Sequence, residues 1–382
     1  MTPIFYKSEK RRLEETERVV RWQLTDHPSA GSYHFYFTEN SFTKGKDTLY
    51  FFSERDTPGT MNVFRMDVST GEMQRVTDVR APHRLTACTK SPDGEKLLYW
   101  LDDELMLMDV ATRAQTALLR APKGFTPGRV SLNCTGEWVG AQLNEEVGLR
   151  NGINYAGFEE RMYRIKRCLY YLIPAAGGKA RLILRDTAEG GHLQFSPVNP
   201  SLMMFCHEGP WNVVQQRIFL MDARTGEHWP CFRQSARDSV GHEFFTRDGE
   251  IFFDNRGPGH DGTITSDRSQ ACATQPAPEG FVPYVGRANE RGEVTAEYPM
   301  PFYCNHYHSS TDMSLLVGDD VDDLVLIDLR QSPPKLEKLC AHHTSWHGQQ
   351  THCHPTFSWD DKRILYTSDV TGHTELYLIE LK

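Results

Sequence analysis

Residues 91–110 are SPDGEKLLYWLDDELMLMDV: a Ser-Pro-Asp-Gly turn, a β-rich apolar run, a second such run that closes on aspartate, and a polar turn. The pattern returns at residues 196–226, where Ser-Pro is followed by SLMMFC and RIFLMDARTG. It returns again at residues 357–381, as FSWDDKRILYTSD and ELYLIEL. Repeated short strands joined by tight turns are typical of β-propellers.

The spacing of these turns predicts the number of blades. Stronger and weaker copies of the turn lie near positions 43, 91, 134, 197, 247, 312 and 359, and a propeller blade takes about 40–50 residues. We therefore expect an all-β, seven-bladed β-propeller that forms a single domain over residues 1–382. The wider gaps leave room for insertions, namely a helix in residues 157–166 and a loop that starts at Arg256. Residues 1–25 are highly charged and predict a short helical N-terminal extension.

Composition excludes several classes of protein. The net charge is -9 and no basic stripe is present, which argues against nucleic-acid binding. No apolar run approaches the roughly 18–20 residues of a membrane helix, and the N-terminal segment lacks the apolar core of a secretion signal. The 9 Cys are irregularly spaced without a Cys-x-x-Cys pair, which indicates reduced thiols and a cytoplasmic location. Cys304 and Cys353 are expected to be small buried apolar residues.

Histidine is the unusual residue type, with 16 copies that cluster toward the C-terminus. His352 and His354 are two positions apart, so on a strand both imidazoles point to one side, as a divalent metal site requires. A third ligand would come from His306 or His308 in the preceding blade, and Gln349 offers an amide oxygen. The alternative is that the His-x-His pair only packs beneath the propeller.

A second polar group contains Cys206 to Trp211, with Arg217 and His242 further along the chain. An Arg binds a carboxylate bidentately, and a His serves as a base near neutral pH. The charge of Arg217, in an otherwise apolar strand, requires a partner. Trp211 is a candidate either for sugar stacking or for the core. The aspartates that close strands are interpreted as turn residues rather than catalytic acids: Asp67, Asp109, Asp222 and Asp328.

Several of these segments together resemble the oligogalacturonate lyases. They are FCHEGPW at 205–211, GHEFF at 241–245, CNH at 304–306 and QxxHxHPxFxxDxxxxLxTSD at 349–369. The resemblance extends from about residue 32 to the C-terminus, and the FCHEG and QxxHxH segments are its specific parts. The sequence departs from the family pattern at residues 256–290, where contacts to a distal sugar would lie.

The resemblance implies a cytoplasmic enzyme that cleaves di- and trigalacturonides, saturated or 4,5-unsaturated, to ketouronate by β-elimination. It implies a divalent ion, typically manganese, and no nucleic-acid or membrane partner. The implied metal ligands are His306, Gln349, His352 and His354; the base is His242, and Arg217 binds the substrate carboxylate. We also expect substrate contacts from His207 and Trp211.

Two other functions are open from sequence. One is a non-catalytic binding propeller of the TolB type, in which the histidines would have no catalytic part. The other is a metal-dependent hydrolase, which needs an acid near the metal; Glu208 and Glu243 are the nearby candidates. The absence of a GxSxG motif excludes a propeller peptidase with a serine nucleophile.

Overall fold

The computed structural model describes residues 3–149, 156–262, 280–300 and 304–382. Within these ranges the predicted turn-and-strand units form seven antiparallel sheets, which are the blades of a β-propeller. First strands contact one another between blades 2 and 3, 3 and 4, 4 and 5, and 6 and 7, as strands around a central channel do. The sequence prediction of a seven-bladed propeller is therefore confirmed.

Three N-terminal strands, β1 (Ile4–Tyr6), β2 (Arg11–Glu15) and β3 (Val19–Gln23), precede the blade units. From the channel outward, the strands of blades 1 to 3 are β4 (Ser32–His34), β5 (Thr48–Ser53), β6 (Asn62–Asp67), β7 (Met73–Arg75); β8 (Leu85–Lys90), β9 (Lys96–Leu101), β10 (Glu104–Asp109), β11 (Gln115–Arg120); and β12 (Phe125–Leu132), β13 (Trp138–Glu145), β14 (Cys168–Pro174), β15 (Arg181–Asp186). Those of blades 4 to 6 are β16 (Gly190–Phe195), β17 (Leu202–His207), β18 (Ile218–Asp222), β19 (His228–Pro230); β20 (Val240–Phe245), β21 (Ile251–Asn255), β22 (Tyr284–Ala288), β23 (Val294–Pro299); and β24 (Tyr307–Ser309), β25 (Leu315–Asp319), β26 (Asp323–Asp328), β27 (Lys335–Ala341).

Blade 7 combines the two ends of the chain. Its inner strands are β28 (Thr356–Phe357), β29 (Arg363–Ser368) and β30 (Glu375–Leu381), and its outer strands are β3 and β2. Strand β3 pairs antiparallel with β30, with Trp22 opposite Leu378. Strand β1 adds to the outer edge of blade 1, where it pairs with β7. The N-terminal segment thus joins blades 7 and 1 and closes the ring.

The predicted helix in residues 1–25 is wrong, because the described part of this segment forms strands β1 to β3. The charged residues that suggested a helix lie in β2, whose five residues are all exposed at the edge of the sheet. Charged edge strands are a common protection against aggregation. Val19 and Val20 follow, and β-branched residues favour strands. Pairing with β30 supplies the backbone hydrogen bonds that a local pattern does not reveal.

The apolar core lies between neighbouring blades. Leu98 and Trp100 of blade 2, for example, pack against Val139 and Leu143 of blade 3, and all four are fully buried. A blade that packs on both faces needs apolar side chains on both, so its inner strands are continuous apolar runs rather than alternating ones. Strand β9, KLLYWL, has four consecutive buried residues for this reason.

The connections also follow the sequence predictions. Each predicted turn joins the first and second strands of a blade; Ser91, Ser310 and Ser358 begin three of them, each donating its hydroxyl to an aspartate two residues later. The expected helix is α1 (Phe158–Arg164), and the described residues also include 3₁₀ segments at Phe37–Glu39 and Gln349–Thr351. Cys304 and Cys353 are buried in apolar clusters, as expected. No helix within the described ranges is long and apolar enough to cross a bilayer.

Candidate active site

One residue position recurs around the channel. It lies four residues before the residue that begins each blade turn, on or next to the first strand. In blades 2 to 7 this position holds Ala87, Arg129, His192, His242, His306 and His354. The backbone is left-handed at His192, His242 and His354, with φ of 46°, 49° and 46°. Bulges in β16 and β20 shift the strand register there. Bulges commonly redirect a side chain near an active site, so the channel acquires a ring of histidines.

Three of the histidines form a compact cluster. The ligand nitrogens of His306, His352 and His354 all lie within 4.8 Å of one another. Burial lowers the pKa of His352 to about 4, and burial together with the neighbouring histidines holds the pKa values of His306 and His354 well below the usual value. The imidazoles are therefore neutral and offer lone pairs. The Nε2 atom of His354 is buried without a hydrogen-bond partner.

Neighbouring side chains orient this cluster. Asp319 Oδ2 lies 3.1 Å from Nδ1 of His306, which directs the Nε2 of that ring toward the other two. Gln349 begins the 3₁₀ segment Gln349–Thr351 and lines the same cavity as His306. His308 is not part of the cluster: its ring stacks on Phe244, and it lines a separate cavity on the side of the blade turns. Of the two histidines that the sequence left open, the structure thus brings His306 to the cluster.

His242 lies next to this cluster on the neighbouring blade. Its ring centroid is 4.7 Å from that of His306 and 4.8 Å from that of Trp211. Its Nδ1 is 3.4 Å from Oδ1 of Asp254 and 3.3 Å from Nη2 of Arg256. Burial, together with the charges of Arg256 and Arg217, holds the pKa of His242 well below its usual value. His242 is therefore a neutral imidazole at the wall of the cavity.

Arg217 has the partner that its burial requires, and in fact it has two. Its Nε is 3.3 Å from Glu243 and its Nη2 is 3.4 Å from Glu208. Burial alone would raise the pKa of each glutamate, but the charges of Arg217 and His192 hold both below the usual value. The positive charge of Arg217 is consequently offset by two ionised carboxylates.

The predicted substrate contacts differ in their outcome. Trp211 lines the cavity, where it is 5% exposed, with Arg256 4.7 Å from its ring. Most of its surface is used in packing. His207 is not brought to the cavity: it ends β17, its Nε2 lies 2.8 Å from Asp186, and its ring packs on Phe219. A residue at the end of a second strand lies farther from the axis than one on the first strand.

The cavity above the histidine cluster has a volume of about 400 Å³. Tyr36 lines this cavity, and Phe37, the first residue of the 3₁₀ segment in blade 1, packs behind it against the histidine cluster. Phe37 packs 5.2 Å from His306, and the Tyr36 hydroxyl lies 3.2 Å from Nε2 of His192. Besides the residues already described, its lining includes Arg129, Arg161, Gln142, Asn144, Glu189 and Asp261.

Sequence analysis missed several of these residues, notably His192, Arg129 and Arg256. For the first two a signal was available. Residues 191–195 and 241–245, GHLQF and GHEFF, place a histidine four residues before the turn in consecutive blades, and Arg129 stands at the same distance before Asn133. Arg256 gave a weaker signal, as a charge directly after the buried strand β21.

Taken together, these features define a β-propeller with a polar channel site of neutral histidines and paired charges. A family model described as Oligogalacturonate lyase matches residues 12–255. The chain therefore belongs to the oligogalacturonate lyase family, which confirms the resemblance and makes it a lyase.

Individual relatives agree with this assignment. The chain is 25% identical over 370 residues to an oligogalacturonate lyase of Dickeya dadantii strain 3937, covering 91% of this chain and 89% of the relative. It is 24% identical over 373 residues to an oligogalacturonide lyase of Pectobacterium atrosepticum, with the same coverage.

Two solved structures share the fold. One is an oligogalacturonate lyase in complex with manganese, with a TM-score of 0.83, 24% identity, and coverage of 99% of this chain and 98% of that one. The other is an oligogalacturonate lyase of Vibrio parahaemolyticus, also with a TM-score of 0.83, at 22% identity and coverage of 100% and 98%.

Proposed function

We propose that this lyase cleaves di- and trigalacturonides, saturated or 4,5-unsaturated, to ketouronate by metal-assisted β-elimination. The observation that carries the proposal is the position of His242. A neutral imidazole suited to accept a proton lies 4.7 Å, between ring centroids, from a cluster of three neutral histidines suited to bind a divalent ion.

The donor set fits a divalent metal. His306, His352 and His354 supply imidazole nitrogens and Gln349 an amide oxygen, and the unpartnered Nε2 of His354 is the kind of buried polar atom that a metal ion satisfies. Nitrogen and oxygen donors with open positions suit manganese, the ion in the solved relative. Such a site would hold zinc or copper more tightly by intrinsic affinity, so cellular supply would decide which ion occupies it. When bound, the ion would supply a Lewis acid for the substrate carboxylate.

The protein residues perform the proton transfer. The base role requires the tautomer in which Nδ1 of His242 donates its proton to Asp254 rather than accepting a hydrogen bond from Arg256, so that the Nε2 lone pair is free. Nε2 takes the C5 proton of the uronate, and the C5–H electrons form the C4–C5 double bond. The C4–O bond breaks, its electrons leave with the glycosidic oxygen of the second sugar, and that oxygen takes a proton from water. Arg217 donates hydrogen bonds to the carboxylate, whose negative charge rises in the transition state.

The alternatives are less well supported. Because the chain belongs to a lyase family, an enzyme is favoured over a non-catalytic binding propeller. A hydrolase would need a protonated carboxyl group near the metal. The charge of Arg217 favours the ionised forms of the two candidates, Glu208 and Glu243, whereas burial raises the pKa of Asp319, which is held against His306 rather than against the open cavity. We also propose that the enzyme acts in the cytoplasm and on neither nucleic acid nor membranes; the eight free cysteines among the described residues and the net charge of -9 support this.

Mass spectrometry of the products from digalacturonate, with manganese and with a chelator, tests the proposal. Elimination leaves one product lighter than galacturonate by one water, and this product should disappear when the metal is chelated. Two plain galacturonates would identify a hydrolase instead. No product with metal-loaded protein would refute elimination of this substrate.

A further inference from the structure

Among the described residues, three arginines line the channel cavity, and two of them already have carboxylate partners. Arg217 is paired with Glu208 and Glu243, and Arg161 on α1 lies 2.5 Å from Glu189. Arg129, the third, has no carboxylate of a described residue within 4.0 Å of its guanidinium. Glu39 and Glu208 interact with Arg129 from farther away than this. Burial raises the pKa of Glu39, which weakens it as a counter-charge, and Glu208 is already paired with Arg217. Of the lining arginines that the structure describes, Arg129 is thus the one whose guanidinium has no paired carboxylate and can bind an anionic ligand.

Both the backbone and the side chain of Arg129 are held in place by neighbouring residues. It lies in β12 where the register shifts between Pro127 and Val130, four residues before the blade turn, like the channel histidines. Its backbone N–H donates to Gln142 Oε1 at 3.2 Å. Its guanidinium lies 4.2 Å from the ring centroid of Tyr36. An aromatic ring at this distance fixes the plane of a guanidinium and leaves its N–H edge free to bind a carboxylate.

Tyr36 connects Arg129 to the histidine cluster. The same ring lies 4.9 Å from His354 and 6.2 Å from His306, between centroids. Arg129 and the cluster therefore contact a common aromatic ring that lines the cavity. A digalacturonate carries two carboxylates, one on the ring that loses its C5 proton and one on the leaving sugar. The first belongs at the cluster and Arg217, so the second needs a cation close by.

We infer that Arg129 binds the carboxylate of the leaving sugar and so makes the enzyme select a uronate, rather than a neutral sugar, on that side of the broken bond. This inference rests on the proposed function. Because the group stays ionised through the reaction, the contact is equal in substrate and transition state, and it lowers KM without changing kcat.

The test compares Arg129→Gln with the wild type on digalacturonate and on an analogue whose leaving sugar is neutral galactose. A charge-assisted contact of this kind is worth about 10- to 100-fold in affinity. Arg129→Gln should raise KM for digalacturonate by that factor with kcat within twofold, and should have the same KM as the wild type for the analogue. Arg129→Lys should fall between the two.

Arg167→Gln is the matched control. Arg167 is on the same blade and also stacks on an aromatic ring, 5.2 Å from Phe125, but it is 61% exposed and does not line the cavity. The Arg167→Gln substitution should leave KM unchanged for both digalacturonate and the analogue. If Arg129→Gln raises KM equally for both substrates, Arg129 only supports Tyr36. If it changes KM for neither, Arg129 does not bind the substrate. Both outcomes overturn the inference.

The experiment tests the elimination reaction separately from the role of Arg129. If neither compound gives an unsaturated product with wild-type protein, elimination is refuted. Calorimetric titration of the same two compounds into wild-type and Arg129→Gln protein then decides the inference by the same comparison of affinities. A preference for digalacturonate that disappears in the variant supports it, and an unchanged preference overturns it.

Discussion

Replacing Gly241 by alanine should inactivate the enzyme through Trp211. A Cβ at Gly241 would lie 1.9 Å from Cζ2 and 2.3 Å from Cε2 of the Trp211 indole. Carbon atoms pack at about 3.5–4.0 Å, so the indole or the strand must retreat by roughly 1.5–2 Å. The indole packs against His242 and under the guanidinium groups of Arg217 and Arg256. A displacement of this size therefore moves the base and the carboxylate-binding arginine together.

Two magnitudes follow from that displacement. Overpacking of a closely packed site costs about 1–3 kcal/mol of unfolding free energy. A misplacement of about 1 Å at reacting groups costs on the order of 100-fold in rate. We expect Gly241→Ala to remain folded and to lose about 100-fold or more in kcat/KM for digalacturonate, measured by the absorbance of the unsaturated product, with metal content unchanged.

Gly286→Ala separates instability from misplacement. Its Cβ would lie 2.3 Å from Cζ of Phe253, on the same blade and in the core between blades 4 and 5. Neither Gly286 nor Phe253 lines the channel cavity. This variant should lose comparable stability and keep kcat/KM within threefold of the wild type. The reasoning fails if Gly241→Ala keeps its activity, or if the two variants lose activity equally.

Three further predictions concern the base, the metal ligands and ring closure. His242→Ala should abolish the unsaturated product and keep the metal, as measured by product mass and elemental analysis; a wild-type rate would exclude His242 as the base. His352→Ala should lose the metal and keep the far-UV circular dichroism spectrum; unchanged metal content would place the site elsewhere. Burial raises the pKa of Glu375, on β30, to about 8, so the native chain keeps a proton that the unfolded chain releases above roughly pH 4.3. Stability should fall between about pH 5 and 8, by up to about 1.4 kcal/mol per pH unit, and urea titrations should show no such slope for Glu375→Gln; equal slopes would contradict the assignment.

Sequence predicted those parts of the structure that local patterns encode. Each blade repeats its own turn chemistry, so the turn positions give the blade number, and α1 shows the charge pattern of an exposed helix. Strand β3 was missed because its pairing partner, β30, is more than 350 residues away in the chain, and β1 likewise pairs with the distant strand β7. A charged edge strand has no local pattern that separates it from an exposed helix.

The sequence predicted some of the residues of the channel site and not others. The His352-x-His354 spacing pointed to a cluster that the structure does assemble with His306. The sequence did not predict which carboxylates offset the charge of Arg217. Glu208 and Glu243 belong to different blades and approach the guanidinium only after folding. His207 looked equivalent to His242 in composition, yet one ends a second strand and the other lies on a first strand beside the axis.

The pairing of β3 with β30 has a consequence for how the protein can assemble. In an open array of repeats the end units expose one face and need capping, whereas a closed ring has no end units. Loss of this pairing would remove the two outer strands of blade 7 and uncover part of the apolar clusters on either side of it, where Val19 and Leu24 are buried. The contacts that prevent this form only after the last strand has been synthesised. Because the His352 and His354 segment directly precedes blade 7, an emerging chain cannot complete the channel cluster until the ring is ready to close.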